Sequence, residues 1–154
     1  MPHVTFGTFS LAPPQDWTLS TVILAGPPDE GQIAGGVLTT KRVRPFQRNL
    51  IVTMERVAAG ETPESYRKRQ TNGLIDAGVS WQKVGKPEDL KLQGRLPGLL
   101  AEQIMPGPGG ERVRQMQLIC IKDGLAYTII ASHLDGAPFE SAREEFRGML
   151  LSFS

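Results

Sequence analysis

The chain is poor in the residues on which most protein chemistry is built. Its 154 residues include one cysteine, two histidines and only 6% aromatic side chains. Cys120, being alone, forms no internal disulfide, which agrees with a reducing compartment. His3 and His133 have no Cys, Asp or Glu at the spacing of metal ligands, so both read as surface histidines and no metal site is expected. An excess of one charge is also missing: 17 Lys and Arg against 16 Asp and Glu leave a formal net charge of +1. Such a balance gives no global attraction to nucleic acid or anionic lipid. No apolar run is long enough to cross a bilayer, and the opening Met1-Pro2-His3-Val4-Thr5-Phe6 lacks the basic region, apolar run and cleavage site of an export signal. These absences point to a cytoplasmic protein that neither inserts into membranes nor binds nucleic acid.

What is present is ordinary for a folded domain, with 40% hydrophobic and 21% charged residues. One domain over residues 1–154 is expected, large enough to bury about two-thirds of its unfolded surface. No catalytic set is visible. Cys120 sits between Ile119 and Ile121 in mid-strand, where a thiol behaves as a small hydrophobe. The glycine-rich stretch Pro106 to Gly110 lacks the following lysine and helix of a phosphate cradle. Glu144 and Glu145 alternate with Arg143 and Arg147 as on a solvated helix face, and Lys41-Arg42-Val43-Arg44 reads as a solvated basic loop. A non-enzymatic binding protein without cofactor is therefore expected.

Residues His3 to Leu11 and Leu19 to Ala25, joined by the turn residues Ala12 to Trp17, predict an opening hairpin. Residues Ile33 to Thr40 read as a weak, glycine-interrupted edge strand after the loop Gly26 to Gly31, and Asn49 to Arg56 as a firm one. Thr62-Pro63-Glu64 predicts a helix start, with the helix running to about Ala77 and stopping at Gly78. Four more strands are expected at Trp81 to Leu92, Leu99 to Met105, Val113 to Lys122 and Leu125 to Ser132. A last helix beginning near Pro138 has an apolar stripe of Phe139, Ala142, Phe146, Met149, Leu150 and Phe153. Strands, helix, strands, helix is an α+β order with an antiparallel sheet.

Asp123-Gly124 fixes a register, because this pair tolerates the positive φ angles of a two-residue hairpin turn. Counting outward places Cys120 with Tyr127, Leu118 with Ile129 and Met116 with Ala131 on a core face. The opposite face receives Ile121 with Ala126, Ile119 with Thr128, Gln117 with Ile130 and Gln115 with Ser132. In the strand Asn49 to Arg56, Leu50, Val52 and Met54 fall on one side and Ile51 and Thr53 on the other. If both helices cover one face, the Ile, Gln, Thr and Ser side is left as a binding surface. Helices on both faces, or a dimer, would explain the same pattern without a ligand.

The segments Phe9 to Trp17, Asn49 to Glu55 and Gln115-Met116-Gln117 with its Asp-Gly hairpin together resemble the DcrB-related family, and within it the Eag chaperones of type VI secretion. The resemblance covers nearly the whole chain in length and element order. It implies a PsbP-like fold, a curved antiparallel sheet flanked by two helices, in a homodimer. It also implies a function: binding the amino-terminal transmembrane helices of a PAAR-containing effector and shielding them in the cytoplasm before loading. Such a task needs an apolar surface with hydrogen-bonding groups. Gln115, Gln117 and Thr128 would supply the latter, and Ile119, Ile121 and Ile130 the apolar contacts, with Ile23, Ile51 and Thr53 extending the surface. Exported DcrB-type lipoproteins share the domain, and the expected absence of a signal and lipidation cysteine argues against that branch. The competing expectation is a PsbP-like scaffold or regulator that binds a folded partner through an edge or loop, with Lys41, Arg42 and Arg44 as the residues to test.

Overall fold

A helix begins where side chains satisfy its first free amides, and α1 (Pro63–Asp76) begins on Thr62 for that reason. The Thr62 hydroxyl accepts from the Ser65 amide at 3.1 Å, while Ser65 Oγ accepts from the Thr62 amide at 3.0 Å. Pro63 and Glu64 occupy the first turn, and Ala77 caps the far end before Gly78, as the sequence predicts. The computed structural model describes residues 4–6, 9–11, 21–25, 46 and 48–153.

Strands β1 (Val4–Phe6) and β2 (Phe9–Leu11) pair with each other, and β3 (Thr21–Ala25) pairs with β4 (Asn49–Arg56). The expected opening hairpin is thereby corrected. Gly7 breaks the first run in sequence, and β3 finds a longer, branched partner in β4. The turn at 12–17, the loop at 26–31, the edge strand at 33–40 and the basic run at 41–44 lie outside the described residues.

After α1 come β5 (Gln82–Leu92), β6 (Leu96–Pro106), β7 (Arg112–Lys122), β8 (Leu125–Leu134) and α2 (Ala137–Leu151). The four strands form an antiparallel meander, and β4 returns beside β8, giving the order β3-β4-β8-β7-β6-β5. The fold is α+β. Asp123 and Gly124 adopt φ of 53° and 74° at the β7–β8 turn, and every facing pair counted from that turn is present.

That register builds the core. Leu100, Met116, Leu118, Cys120, Ile129 and Ala131 point to one side of the sheet and pack against Phe139, Ala142, Phe146 and Leu150 of α2. Each large side chain buried there stabilises the fold by roughly 1.5–3 kcal/mol. Phe153 is half-buried with its ring centroid 5.2 Å from that of Tyr127, whereas Met149 leaves the stripe and remains 39% exposed. The charged side of α2 is less solvated than its alternating pattern predicts. Arg147 grips Glu88 of β5 through two contacts of 2.9 Å, and Arg143 bonds both Glu140 and Glu102. Glu102 is the reason: β6 places this acid on the α2 side with its side chain only 15% exposed, where it needs cations, and Arg114 is the second one.

The other helix lies on the opposite face. α1 packs on β6 and β7, with Tyr66 buried against Ile119 and Ala126. Two helices therefore flank the sheet, one on each side: of the arrangements the sequence leaves open, helices on both faces is the one present.

Candidate functional site

Cross-strand pairing arranges the α1-side face in rows. Ile51, Ile130, Gln117 and Ala101 form one row across β4, β8, β7 and β6; Thr53, Thr128, Ile119 and Leu99 form the next. Ser132, Gln115 and Gln103 continue the face along the same strands. The sequence-derived surface is thus real as a set of neighbours. Ile23 is the exception. It pairs with Val52, whose partner is Ile129, and this register position belongs to the α2 side, so its expected place beside Ile51 and Thr53 is corrected.

α1 divides the face in two. Under the helix, Ile119 and Thr128 are almost inaccessible and Gln117 is 5% exposed, its amide donating to Gln70 of α1 at 3.4 Å. These three residues, expected to meet a partner protein, instead seat the chain's own helix. Ile121 packs at the edge of the same cluster. Beyond the footprint of α1, Ile51, Thr53, Ile130 and Gln115 are each only half-buried. They form a window of two facing isoleucines, a hydroxyl and an amide.

Tyr66 holds α1 down. Its phenol donates to Glu55 Oε2 at 2.7 Å, and Glu55 also accepts from Arg69 at 3.2 Å. Burial, together with the hydrogen bond and negative charge of Glu55, pushes the Tyr66 pKa up to about 12; the Thr128 hydroxyl and Arg69 act in the opposite direction. Cys120, buried on the other side of the sheet, has its thiol pushed up to about 11 by desolvation, which leaves no reactive thiolate near neutral pH.

Several residues outside the expected set shape this face. Trp81 Nε1 donates to Gln103 Oε1 at 3.0 Å, and Gln103 Nε2 donates to Gln115 Oε1 at 2.9 Å. The chain from Trp81 through Gln103 to Gln115 ties the residue just before β5 to β6 and β7 on the α1 side. Tyr66 and Gln70, four residues apart, share the helix face that meets the sheet, and that spacing is the one sequence signal for the contact. Beside Trp81, a cleft of about 470 Å³ opens between α1 and β5, and Arg67 reaches into it. Desolvation holds the Arg67 guanidinium below its usual pKa. Among the described residues, no group of three or more His, Cys, Asp or Glu is placed to hold a metal ion. No helix of the described residues is long and apolar enough to cross a membrane.

No protein-family model matches the chain, and no curated protein matches it either. The fold is shared, however. A solved structure from Pseudomonas aeruginosa, a protein of unknown function called PA94 and described as a candidate regulator, superposes with a TM-score of 0.64. The match covers 100% of this chain and 96% of that one at 12% identity, so it speaks for the fold alone.

Proposed function

We propose that this chain is a cytoplasmic chaperone for a type VI secretion effector, holding the amino-terminal transmembrane helices of a PAAR-containing partner until loading. The observation that carries this reading is the window left by α1, where Ile51 and Ile130 face each other beside Thr53 and Gln115. An apolar pair flanked by hydrogen-bonding groups suits a transmembrane helix bearing small and polar residues. Each polar group of that helix left unpaired would cost about 1–3 kcal/mol. The resemblance to the Eag chaperones supports the choice of partner, and a sheet with one helix on each side is compatible with their PsbP-like architecture. A homodimer would present two windows. Binding is non-covalent and needs no cofactor.

The second reading is a non-enzymatic PsbP-like scaffold or regulator that binds a folded partner; PA94, which shares the fold, is itself described as a candidate regulator. Lys41, Arg42 and Arg44, which would serve that role, lie outside the described residues.

Co-expression with the effector's amino-terminal fragment separates the two. The chaperone keeps the fragment soluble and co-purifies with it, and the Ile51→Asp, Ile130→Asp double variant, checked for folding by circular dichroism, loses it. A fragment that stays insoluble beside the wild-type chain, or that binds the folded double variant equally well, rules the window out. Loss of a folded partner on replacing Lys41, Arg42 and Arg44 by Gln would instead favour the scaffold.

A further inference from the structure

Arg67 is the least explained side chain among the described residues. It is only 9% exposed, and its Nε and Nη2 are buried with no hydrogen-bond partner among the described residues. It forms no ion pair among the described residues; its one contact of note is with the face of Trp81, whose centroid lies 5.8 Å from Cζ. A buried guanidinium is costly unless its donors are met by an acceptor. By contrast, Arg114 and Arg143, on the other side of the sheet, share Glu102 and Glu140.

The surroundings of Arg67 have the features of a binding cleft. It lines a concavity of about 470 Å³, within the range of small-molecule sites. Trp81 and Leu99 provide apolar walls, and Lys68, Lys83 and Lys86 bring further positive charge. Glu64 and Asp89 of the same lining offset part of it, so the lining carries an excess of two positive charges, a balance better matched to a monoanion than to a polyphosphate. β5 is shaped for this: its pairing with β6 breaks between Val84 and Glu88, Gly85 takes φ of 64° at the break, and Lys86 and Pro87 of the same segment line the cleft. The indole of Trp81, fixed by its bond to Gln103, holds one side.

We infer that the cleft between α1 and β5 binds a small monocarboxylate carrying a flat apolar group, with Arg67 receiving the carboxylate and Trp81 and Leu99 flanking the apolar part. The planar guanidinium fork matches a carboxylate, and the Trp81 ring beneath it lines the same cleft. The cleft is separate from the window at Ile51 and Ile130, so it stands or falls independently of the chaperone reading.

The test is titration of the full chain with phenylacetate, followed by calorimetry and by the Trp81 indole N–H resonance, assigned with Trp81→Phe. The expected result is saturable binding, weakened at least about tenfold for the neutral isostere phenylacetamide and for the Arg67→Met variant. Arg67→Met should keep or raise thermal stability without ligand, because it removes an uncompensated buried charge while keeping an apolar contact with Trp81. Arg67→Lys, which keeps charge but loses the fork, should also bind weakly. No shift of the Trp81 resonance up to about 10 mM phenylacetate overturns the inference. So does equal binding of phenylacetamide, or unchanged binding by a folded Arg67→Met variant. Displacement by inorganic phosphate or by a short glutamate peptide at equal concentration overturns the assignment to a small monocarboxylate.

Discussion

Replacing Tyr66 by Phe removes one oxygen atom from the contact that fastens α1 to the sheet, and its effect is calculable in both size and pH dependence. The lost bond is the 2.7 Å donation to the Glu55 carboxylate. Hydrogen bonds to charged groups contribute about 1.5–3 kcal/mol. Because Glu55 keeps Arg69 at 3.2 Å, its carboxylate is not left unpaired, and a loss near the low end, about 2 kcal/mol, is expected at pH 7. The phenol also couples stability to pH. Its folded pKa is pushed up to about 12 from the ordinary 10.0 of a tyrosine, so the folded state resists ionisation. Stability from this group is complete below pH 10 and is lost as pH rises through 12. Two pH units correspond to at most about 3 kcal/mol. Urea unfolding followed by circular dichroism at pH 7 and at steps between pH 9 and 12 should therefore show the wild type ahead at neutral pH, with the gap to Tyr66→Phe closing in alkali. A difference under about 0.5 kcal/mol at pH 7, or a gap constant across that range, would refute the role assigned to Tyr66.

Cys120 should behave as a closed core thiol: unreactive toward a disulfide reagent at pH 8 in the native state, reactive once urea unfolds the chain. Its contribution to stability, complete below pH 9, should fade as pH rises through about 11, and fast stoichiometric labelling of the folded protein would contradict the burial. Glu102→Gln should cost about 1–3 kcal/mol in urea unfolding, since Arg114 and Arg143 both lose a largely buried carboxylate while keeping Glu140. A double-mutant cycle with Arg143→Gln should then give a non-zero coupling energy, and additive losses would show that the two residues do not act together.

The parts of the fold written in short-range chemistry were legible in the sequence. Asp123-Gly124 set the whole β7–β8 register, Thr62-Pro63 set the start of α1, and the apolar stripe of α2, Met149 excepted, named the helix residues that meet the core. What was not legible was which face α1 would choose. Its surface is polar nearly all round, and only Tyr66 and Arg67 are buried, so no apolar stripe points toward the sheet. That ambiguity decided the site: Gln117, Ile119 and Thr128 looked open only as long as α1 was assigned elsewhere. Ile23 failed for a different reason: its strand is separated from β4 by a long stretch of sequence with no two-residue turn signal from which a register could be counted. Arg67 gave no signal in sequence, being one cation among several on a charged helix, and became conspicuous only through its burial without a partner.

The most direct measurement places a photo-crosslinking amino acid at position 130, at position 119 or at position 149 of the full chain during co-expression with the effector's amino-terminal fragment. Position 130 lies in the window, 119 lies under α1, and 149 is exposed on α2. A window that holds a transmembrane helix predicts an adduct from 130 and none from 149. An adduct from 149 with none from 130 contradicts it, and an adduct from 119 that matches 130 would mean that α1 lifts away to admit the helix.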